Sequence, residues 1–316
     1  MRGIGSVGVA LAVVVALGSL GIVAAWLLGA VSTYADAVSH LFGHALGGLI
    51  SATIALTWRR RALAVLMAGG LLTIGLHWTF AWRASEPATL RSRAQELKIV
   101  SLNTWHQLND LDRLQSYLES EQADVVLLYE FGPTKLALIE RLAATYPYAA
   151  GCAETWHCSV EILSKRPFVG AEAGRREKFD GPPRVSATYD IGSSTLTVVG
   201  AHLMRPIDGP DGHLSEMRRL AGIARSAPGP VIVAGDFNAT WWSHSFSVFR
   251  HDSGLVHMGR FLPSWPAEAR GLPQLNIDHL WVSPDIAIAD VHLGPNVGSD
   301  HRPLVAILRL PADARW

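Results

Sequence analysis

The chain has 316 residues, with 27 Lys and Arg against 27 Asp and Glu, 49% hydrophobic residues and only 17% charged ones. That length admits one large domain and something smaller, while the composition argues against an ordinary soluble chain and the zero net charge against a strongly basic one. The apolar excess lies in the first eighty residues, whose only acid is Asp36 and whose only basic residues are Arg2, Arg59, Arg60 and Arg61.

Three uncharged segments stand there: Ile4 to Gly29, Val38 to Trp58 and Ala62 to Trp82. Each reaches the roughly 20 residues that a helix needs to cross a bilayer core, so three transmembrane helices are expected. A cleaved signal peptide is the rival for the first, although its apolar run exceeds the ~7–15 residues of a typical signal core. Arg59, Arg60 and Arg61 fill the turn between the second and third segments, and the turn between the first and second has no Lys or Arg. The positive-inside rule then puts the arginine turn in the cytoplasm and everything after the third segment outside it. Arg83, Arg91 and Arg93 oppose this weakly. His40 and His44 are spaced to share a helix face, with His77 at similar depth in the next segment, so the three are candidates for a metal or haem or for hydrated, paired interfacial side chains. Gly43 and Gly47 have the spacing of a close helix contact.

The expected organisation is a membrane domain over 1–83, a polar linker over 84–96 and a soluble domain over 97–316. In the soluble part, strand signals (LKIVSLN, ADVVLLYE, SVEILS, RVSATYD, STLTVVGAHL, VIVAGD, NIDHLWVS, IAIADVHL, RPLVAILRL) alternate with helical ones (NDLDRLQSYLESEQ, PTKLALIERLAATY, DGHLSEMRRLAGIARSA, SHSFSVFR). The mixture implies an α/β sandwich with parallel and antiparallel pairings. Cys152 and Cys158 are the only cysteines, and outside the cytoplasm an isolated near pair reads as a disulfide. A reduced pair binding metal with His157 is the alternative.

Polar residues gather where the strands end: Asn103, Glu130, His202, Asp236, Asn238, Asp278, Asp300 and His301. One such residue after a strand is a turn; eight of them suggest a shared site at one rim. The set suits metal-assisted hydrolysis of a phosphoester. Mg²⁺ takes oxygen ligands, for which Glu130, Asp300 and Asn103 are candidates. A histidine paired with a carboxylate, as His301 with Asp278, can take a proton from water near neutral pH. Asp236 and Asn238 could orient that water, and His202 could hold a phosphate oxygen or assist the leaving group.

The pieces SLNTW, LLYE, ILSKRP, GAHL, GDFNAT, IDHLWVS and GSDHRPL, in this order over about Leu97 to Leu310, resemble the endonuclease/exonuclease/phosphatase superfamily. The resemblance implies a four-layer α/β sandwich of two packed mixed sheets and dependence on Mg²⁺ or Mn²⁺. It implies Glu130 as the main metal ligand with Asn103 and Asp300 nearby, His301 as general base backed by Asp278, Asp236 and Asn238 at the reacting phosphate, and His202 as a second catalytic histidine. Tyr129 departs from the pattern, since many members carry Gln there.

Substrate is less legible. Beyond the first eighty residues the count is 27 − 4 = 23 basic against 27 − 1 = 26 acidic residues, which does not favour a nucleic acid. Tethering to the outer face of a membrane favours a lipid headgroup or another extracytoplasmic phosphoester. The alternatives are an extracytoplasmic nuclease and a non-catalytic membrane binding or sensing protein. Trp241, Trp242 and Trp265 could stack on a base, enter a bilayer interface or pack the core. No protein partner is identifiable.

Overall fold

The computed structural model describes residues 6–57, 61, 65, 67–71, 95–155, 157–176, 181–192, 194–269, 274–311 and 314–316. The chain divides into two compact units, Met1–Glu86 with Trp242–His244, and Pro87–Trp241 with Ser245–Trp316.

In the first unit, α1 (Ser6–Leu28) has 23 residues and a mean hydropathy of 2.6 in its most apolar window. At 1.5 Å per residue it is about 35 Å long, enough to cross a hydrocarbon core. The second expected span is not one straight helix. It is a pair, α2 (Thr33–Ser39) and α3 (Phe42–Leu56), bent by 59° at a short break. His40 ends α2 and His44 lies in the first turn of α3, so the two do not share the face of one continuous helix. Of the two glycines expected in a close helix contact, Gly43 is tight, but against the Trp242 ring at 2.9 Å, and Gly47 meets nothing within 4 Å; the close approach to α1 is at Gly48, where a Cβ would meet Ser19 Oγ at 2.5 Å. By length and composition, then, one described helix can cross a membrane, or two spans if the bent pair counts as one, in place of the three expected. The expected third segment, with His77, lies largely outside the described residues, as does most of the linker. Trp242 belongs to this unit, where its indole N–H donates to the His40 carbonyl at 3.1 Å.

The second unit contains two six-stranded sheets. In chain order its elements are β1 (Glu96–Asn103), α4 (Leu111–Glu121), β2 (Val125–Tyr129), a 3₁₀ turn (Pro133–Lys135), α5 (Ala137–Leu142), β3 (Tyr148–Gly151), β4 (Val160–Ser164), β5 (Gly170–Gly174), β6 (Arg184–Asp190), β7 (Thr195–His202), α6 (Pro210–Ser226), β8 (Val231–Asp236), α7 (His244–Ser253), β9 (Val256–His257), β10 (Asp278–Val282), β11 (Ala287–Leu293) and β12 (Leu304–Arg309). One sheet runs β11-β12-β1-β2-β4-β3 and the other β5-β6-β7-β8-β10-β9. Each has a single parallel pair at its centre, β1 with β2 and β7 with β8, and is otherwise antiparallel.

The period of two along a strand sorts these residues between layers. Leu97, Ile99, Leu127, Val198, Ile232 and Leu280 point into the space between the sheets. Their neighbours Val100, Leu102, Val126 and Leu128 face outward, against Leu114 and Leu118 of α4 and Leu138 and Leu142 of α5. On the other side Val199, Val231, Val233 and Trp281 pack against Met217 and Leu220 of α6 and Phe246 and Phe249 of α7. The layers are helix, sheet, sheet and helix. Because both parallel pairs are buried on both faces, their strands are near-continuous apolar runs.

Polar contacts of Tyr129 enter the apolar inter-sheet layer. Tyr129, fully buried, donates its hydroxyl to the Ala234 carbonyl of the opposite sheet at 2.9 Å and lies 3.0 Å from Ser101 Oγ. The departure at position 129 thus has a structural role, tying β2 to β8. The Cys152–Cys158 disulfide is formed, with the Cα atoms 5.6 Å apart.

Tyr129→Phe leaves the Ala234 carbonyl and Ser101 hydroxyl without their partner. Urea unfolding should show a loss of roughly 1–3 kcal/mol, the usual effect of orphaning buried polar groups. An unchanged midpoint would show that the bridge does not hold the sheets.

Candidate active site

Strand register assembles the site. Parallel pairing of β1 and β2 sets Asn103 beside Tyr129, so that Asn103 and Glu130 emerge together. Parallel pairing of β7 and β8 sets His202 beside Asp236, and antiparallel pairing of β8 and β10 sets Asp278 on the other side of Asp236. Gly235 allows this crowding, since a Cβ there would stand 2.0 Å from the Ala201 carbonyl oxygen. The loop before β12 brings His301, and Ser299 Oγ fastens that loop by donating to the Asn103 carbonyl at 2.6 Å.

Asp236 is the meeting point. Its Oδ1 accepts the Asn238 backbone N–H at 2.9 Å and its Oδ2 accepts the Asn103 side-chain amide at 3.0 Å. His202 Nε2 and His301 Nε2 each lie 3.7 Å from the same Oδ2. Burial raises the Asp236 pKa to about 7, with the Asp278 charge adding to it and His301 opposing it. His301 Nδ1 donates to Asp278 Oδ2 at 2.8 Å, and Ser264 Oγ donates to that same oxygen. Burial works against a charge on His301, but the Asp278 and Asp236 carboxylates outweigh it and raise its pKa to about 10. Asn238 adopts a left-handed φ of 47° and ties its side-chain amide to the Leu203 carbonyl at 2.9 Å, joining the loops after β7 and β8.

Glu130 also has a left-handed backbone, with φ of 49°. An extended or helical backbone is the ordinary state for glutamate, and such departures collect at functional sites. Its Oε1 accepts from Asn103 at 3.1 Å, and its Oε2 accepts from the His106 backbone N–H at 2.8 Å and from His106 Nδ1 at 3.0 Å. Burial would raise the Glu130 pKa, but His202, Asn103 and His106 together hold it at about 2. His202 Nε2 is 3.8 Å from Oε1, yet burial lowers the histidine's own pKa to about 4 despite that carboxylate. At neutral pH His202 is therefore uncharged, and the hydrogen bonds from Asn103 and His106 are what keep Glu130 ionised.

The structure thus brings Asn103, Glu130, His202, Asp236, Asp278 and His301 into one cluster, with Asn238 bracing it. Asn103 enters as a donor: its Oδ1 accepts the Trp105 N–H at 2.9 Å while its amide nitrogen faces the two carboxylates. Asp300 is linked by hydrogen bond to the Trp265 indole at 3.1 Å and, among the described residues, not to Glu130 or Asn103. Trp265 stands beside His301, their rings 6.5 Å apart, whereas Trp241 packs edge-on against His257 and Phe261.

Sequence reading missed four supports. His106 holds Glu130. Buried Lys135 donates to the Trp105 and Glu130 carbonyls at 2.9 and 3.0 Å, clamping the loops after β1 and β2. Ser264 orients Asp278, and Ser299, within GSDHRPL, ties the His301 loop to Asn103. Only the last had a signal in the sequence, its place immediately before Asp300 and His301.

The donors fit a hard divalent cation. Ligand atoms of Asp236, Asp278 and His301 lie within 4.8 Å of one another. Asp278 Oδ1 and Asp300 Oδ1 are buried oxygens with no hydrogen-bond partner, and a cation is one means of satisfying such atoms.

Residues 100–301 match the sequence model of the Endonuclease/Exonuclease/phosphatase family. No curated protein matches the chain. An endonuclease/exonuclease/phosphatase from Beutenbergia cavernae DSM 12333 superposes with a TM-score of 0.55 at 19% identity, covering 69% of this chain and 72% of its own. Humanized D. rerio TDP2 gives 0.56 at 19% identity, covering 68% and 99%. Sphingomyelinase C from Streptomyces griseocarneus gives 0.51 at 19% identity, covering 67% and 99%. At these identities the likeness is one of fold.

In chelator, the His301–Asp278 pair should be visible in stability. The folded pKa of His301 is raised above its ordinary 6.5 to about 10, so its contribution is complete below pH 6.5 and is lost as pH rises toward 10. Asp278→Asn should cost roughly 3–5 kcal/mol below that window, as expected for a broken buried pair, and should flatten the fall within it. Calorimetry showing parallel pH profiles for the two proteins would refute the pairing.

Proposed function

The chain belongs to the Endonuclease/Exonuclease/phosphatase family, a divalent-metal-dependent family of phosphoester hydrolases, and on that premise we propose that it is a membrane-anchored, Mg²⁺- or Mn²⁺-dependent phosphodiester hydrolase acting outside the cytoplasm. The observation that carries this reading is the convergence of His202 and His301 on Asp236 Oδ2, with Asp278 paired to the far side of His301 and Glu130 held ionised alongside. A bound cation would polarise a phosphoryl oxygen and, by its charge, favour the neutral form of His301. Glu130 is the proposed carboxylate ligand in place of the Asp236, Asp278 and His301 group, because in our reading His301 and Asp278 serve as the base pair and Asp236 orients the water.

The chain's own groups would then divide the work. Asp278 fixes the Nδ1–H tautomer of His301, which leaves Nε2 facing Asp236 as the atom that takes a proton from water. Asp236 and Asn238 orient that water. Neutral His202 donates to a phosphoryl oxygen. Burial of Asp236, which raises its pKa, together with His301 Nε2 3.7 Å from its Oδ2, favours a second reading, in which Asp236 takes the proton and charged His301 stabilises the phosphoryl oxygens.

Hydrolysis of bis-p-nitrophenyl phosphate by the full chain tests both. Glu130→Gln should lose most activity and regain part of it at high Mg²⁺ or Mn²⁺, because the lost quantity is metal affinity. His301→Ala should lose about 10²–10⁴-fold with no rescue by metal. If His301 is the base, its loss removes the acid limb of the pH–rate profile; if Asp236 is, Asp236→Asn removes that limb and His301→Ala leaves it. Full activity in both Glu130→Gln and His301→Ala would refute catalysis at this rim.

The preferred substrate class is a lipid headgroup, supported by the apolar α1 and by the acidic balance beyond residue 80. A nuclease is the alternative, and a panel of sphingomyelin, phosphatidylinositol phosphates, DNA and RNA separates them. The outward location predicts that a reporter fused after Trp316 is active only outside the cytoplasm and that unreduced Cys152 and Cys158 resist thiol labelling. Cytoplasmic reporter activity or labelling of both thiols would overturn it.

A further inference from the structure

A second polar concavity lies on the outer face of the sheet that carries β5, β6 and β7. It is a cavity of about 790 Å³ between those strands and the C-terminal half of α6, within the ~300–1,000 Å³ range of small-molecule sites. Arg184, Arg218, Arg219 and Arg225 line it, and among the described residues Glu172 is its only acid. That balance runs against the rest of the soluble part, where acids outnumber bases.

The geometry of α6 accounts for it. Arg218, Gly222 and Arg225 recur at helical spacing on one face, opposite Ser186 and Thr188 of β6. Gly222 has nothing within 4 Å of the place a Cβ would occupy, so the middle of the groove stays open down to the helix backbone. Arg225 has an ordinary reason to be there, since it lies in the last turn of the helix and donates to the Asp252 carbonyl at 3.0 Å. Arg184 is also engaged, donating to the Pro182 carbonyl at 3.4 Å. Arg218 and Arg219 are different: both are exposed, and among the described residues neither has a carboxylate within ion-pair distance.

We propose that this groove is a binding site, separate from the catalytic rim, for a phosphate monoester of a polyol. The guanidinium forks of Arg218 and Arg219 hold the phosphate, and the hydroxyls of Ser186 and Thr188 meet the polyol. Such a ligand exists free or as a lipid headgroup, and the two sources present the same chemistry. Arg184 at one end of the groove pairs in register with Ala201, the residue before His202, so an occupied groove abuts the strand that carries the catalytic histidine.

The test uses the full chain in phosphatidylcholine nanodiscs. Glycerol phosphate is titrated calorimetrically in one arm, and phosphatidic acid is added to the nanodisc lipid in the other. Arg218→Ala/Arg219→Ala should weaken binding at least about tenfold in one arm or both, the arm identifying the source, since charged hydrogen bonds of this kind are worth a factor of ten or more. Gly222→Phe, which fills the groove and leaves every charge in place, should weaken binding similarly. Both variants should hydrolyse bis-p-nitrophenyl phosphate at the parent rate, which separates this site from the catalytic one. Wild-type binding that both variants retain belongs to the catalytic rim and overturns the proposal, as does the absence of binding in both arms.

Discussion

The hydroxyl of Tyr129 reaching the Ala234 carbonyl sits at the point on which the polar rim depends. It is the last residue of β2, one before Glu130, and it touches β8 two residues before Asp236. Two sheets packed by apolar side chains alone can slide, because dispersion and burial are not directional. A hydrogen bond is directional, and this one fixes the end of one sheet against the end of the other directly below the two carboxylates. A one-residue slip of either strand would turn the inward set outward and carry Glu130 or Asp236 out of the cluster.

Above that bridge the protein stores electrostatic tension. Asp236, Asp278 and His301 are all nearly inaccessible to water, and removing charges from water is costly unless they are paired and hydrogen-bonded. Asn103 lessens the conflict. Its amide donates at once to Glu130 and Asp236, neutral hydrogens between two carboxylates drawn from opposite sheets. The relief is incomplete, since Asp278 Oδ1 and Asp300 Oδ1 lack partners and Asp236 is displaced toward neutrality of pH. A cluster left short of positive charge in this way is preorganised for a cation and for a phosphoryl group that spreads its charge over several oxygens.

The sandwich and the rim residues were legible because strand ends are local signals: an apolar run, a glycine, then Asp236, or an apolar run and then Glu130. Parallel β1–β2 and β7–β8 pairs follow from helices α4 and α6 between them. What stayed hidden comes from loops whose conformation sequence does not reveal. Lys135 reads as an exposed helix lysine, and its burial depends on the chain making a 3₁₀ turn at Pro133–Lys135 before α5 begins. His106 and Ser264 lie in segments without periodicity. The edge strand β5, GAEAG, has no apolar alternation because its residues are mostly exposed. In the first unit, hydropathy measured length and could not see the break at His40 and Leu41, since apolar helices on either side of a bend have the same composition as one straight span.

A buried histidine pair behind the rim shows how the loop after β8 is held without charge. His257 Nδ1 accepts the Gly259 N–H at 3.2 Å, which places its hydrogen on Nε2. That hydrogen is donated to His279 Nδ1 at 3.1 Å, so His279 also carries its hydrogen on Nε2, and it donates to the Ala239 carbonyl at 2.7 Å. Every role in the chain is therefore fixed by the backbone groups at its two ends. Burial depresses both pKa values, His279 adding to the effect on His257 while the Ala239 carbonyl and Asp278 only partly offset it at His279, so the relay is neutral at neutral pH. Its terminus is the residue after Asn238. A neutral relay can brace that loop without adding a field to the Asp236–His301 pair beside it, whereas a lysine or arginine in the same place would supply a fixed positive charge that competes with any cation for the carboxylates.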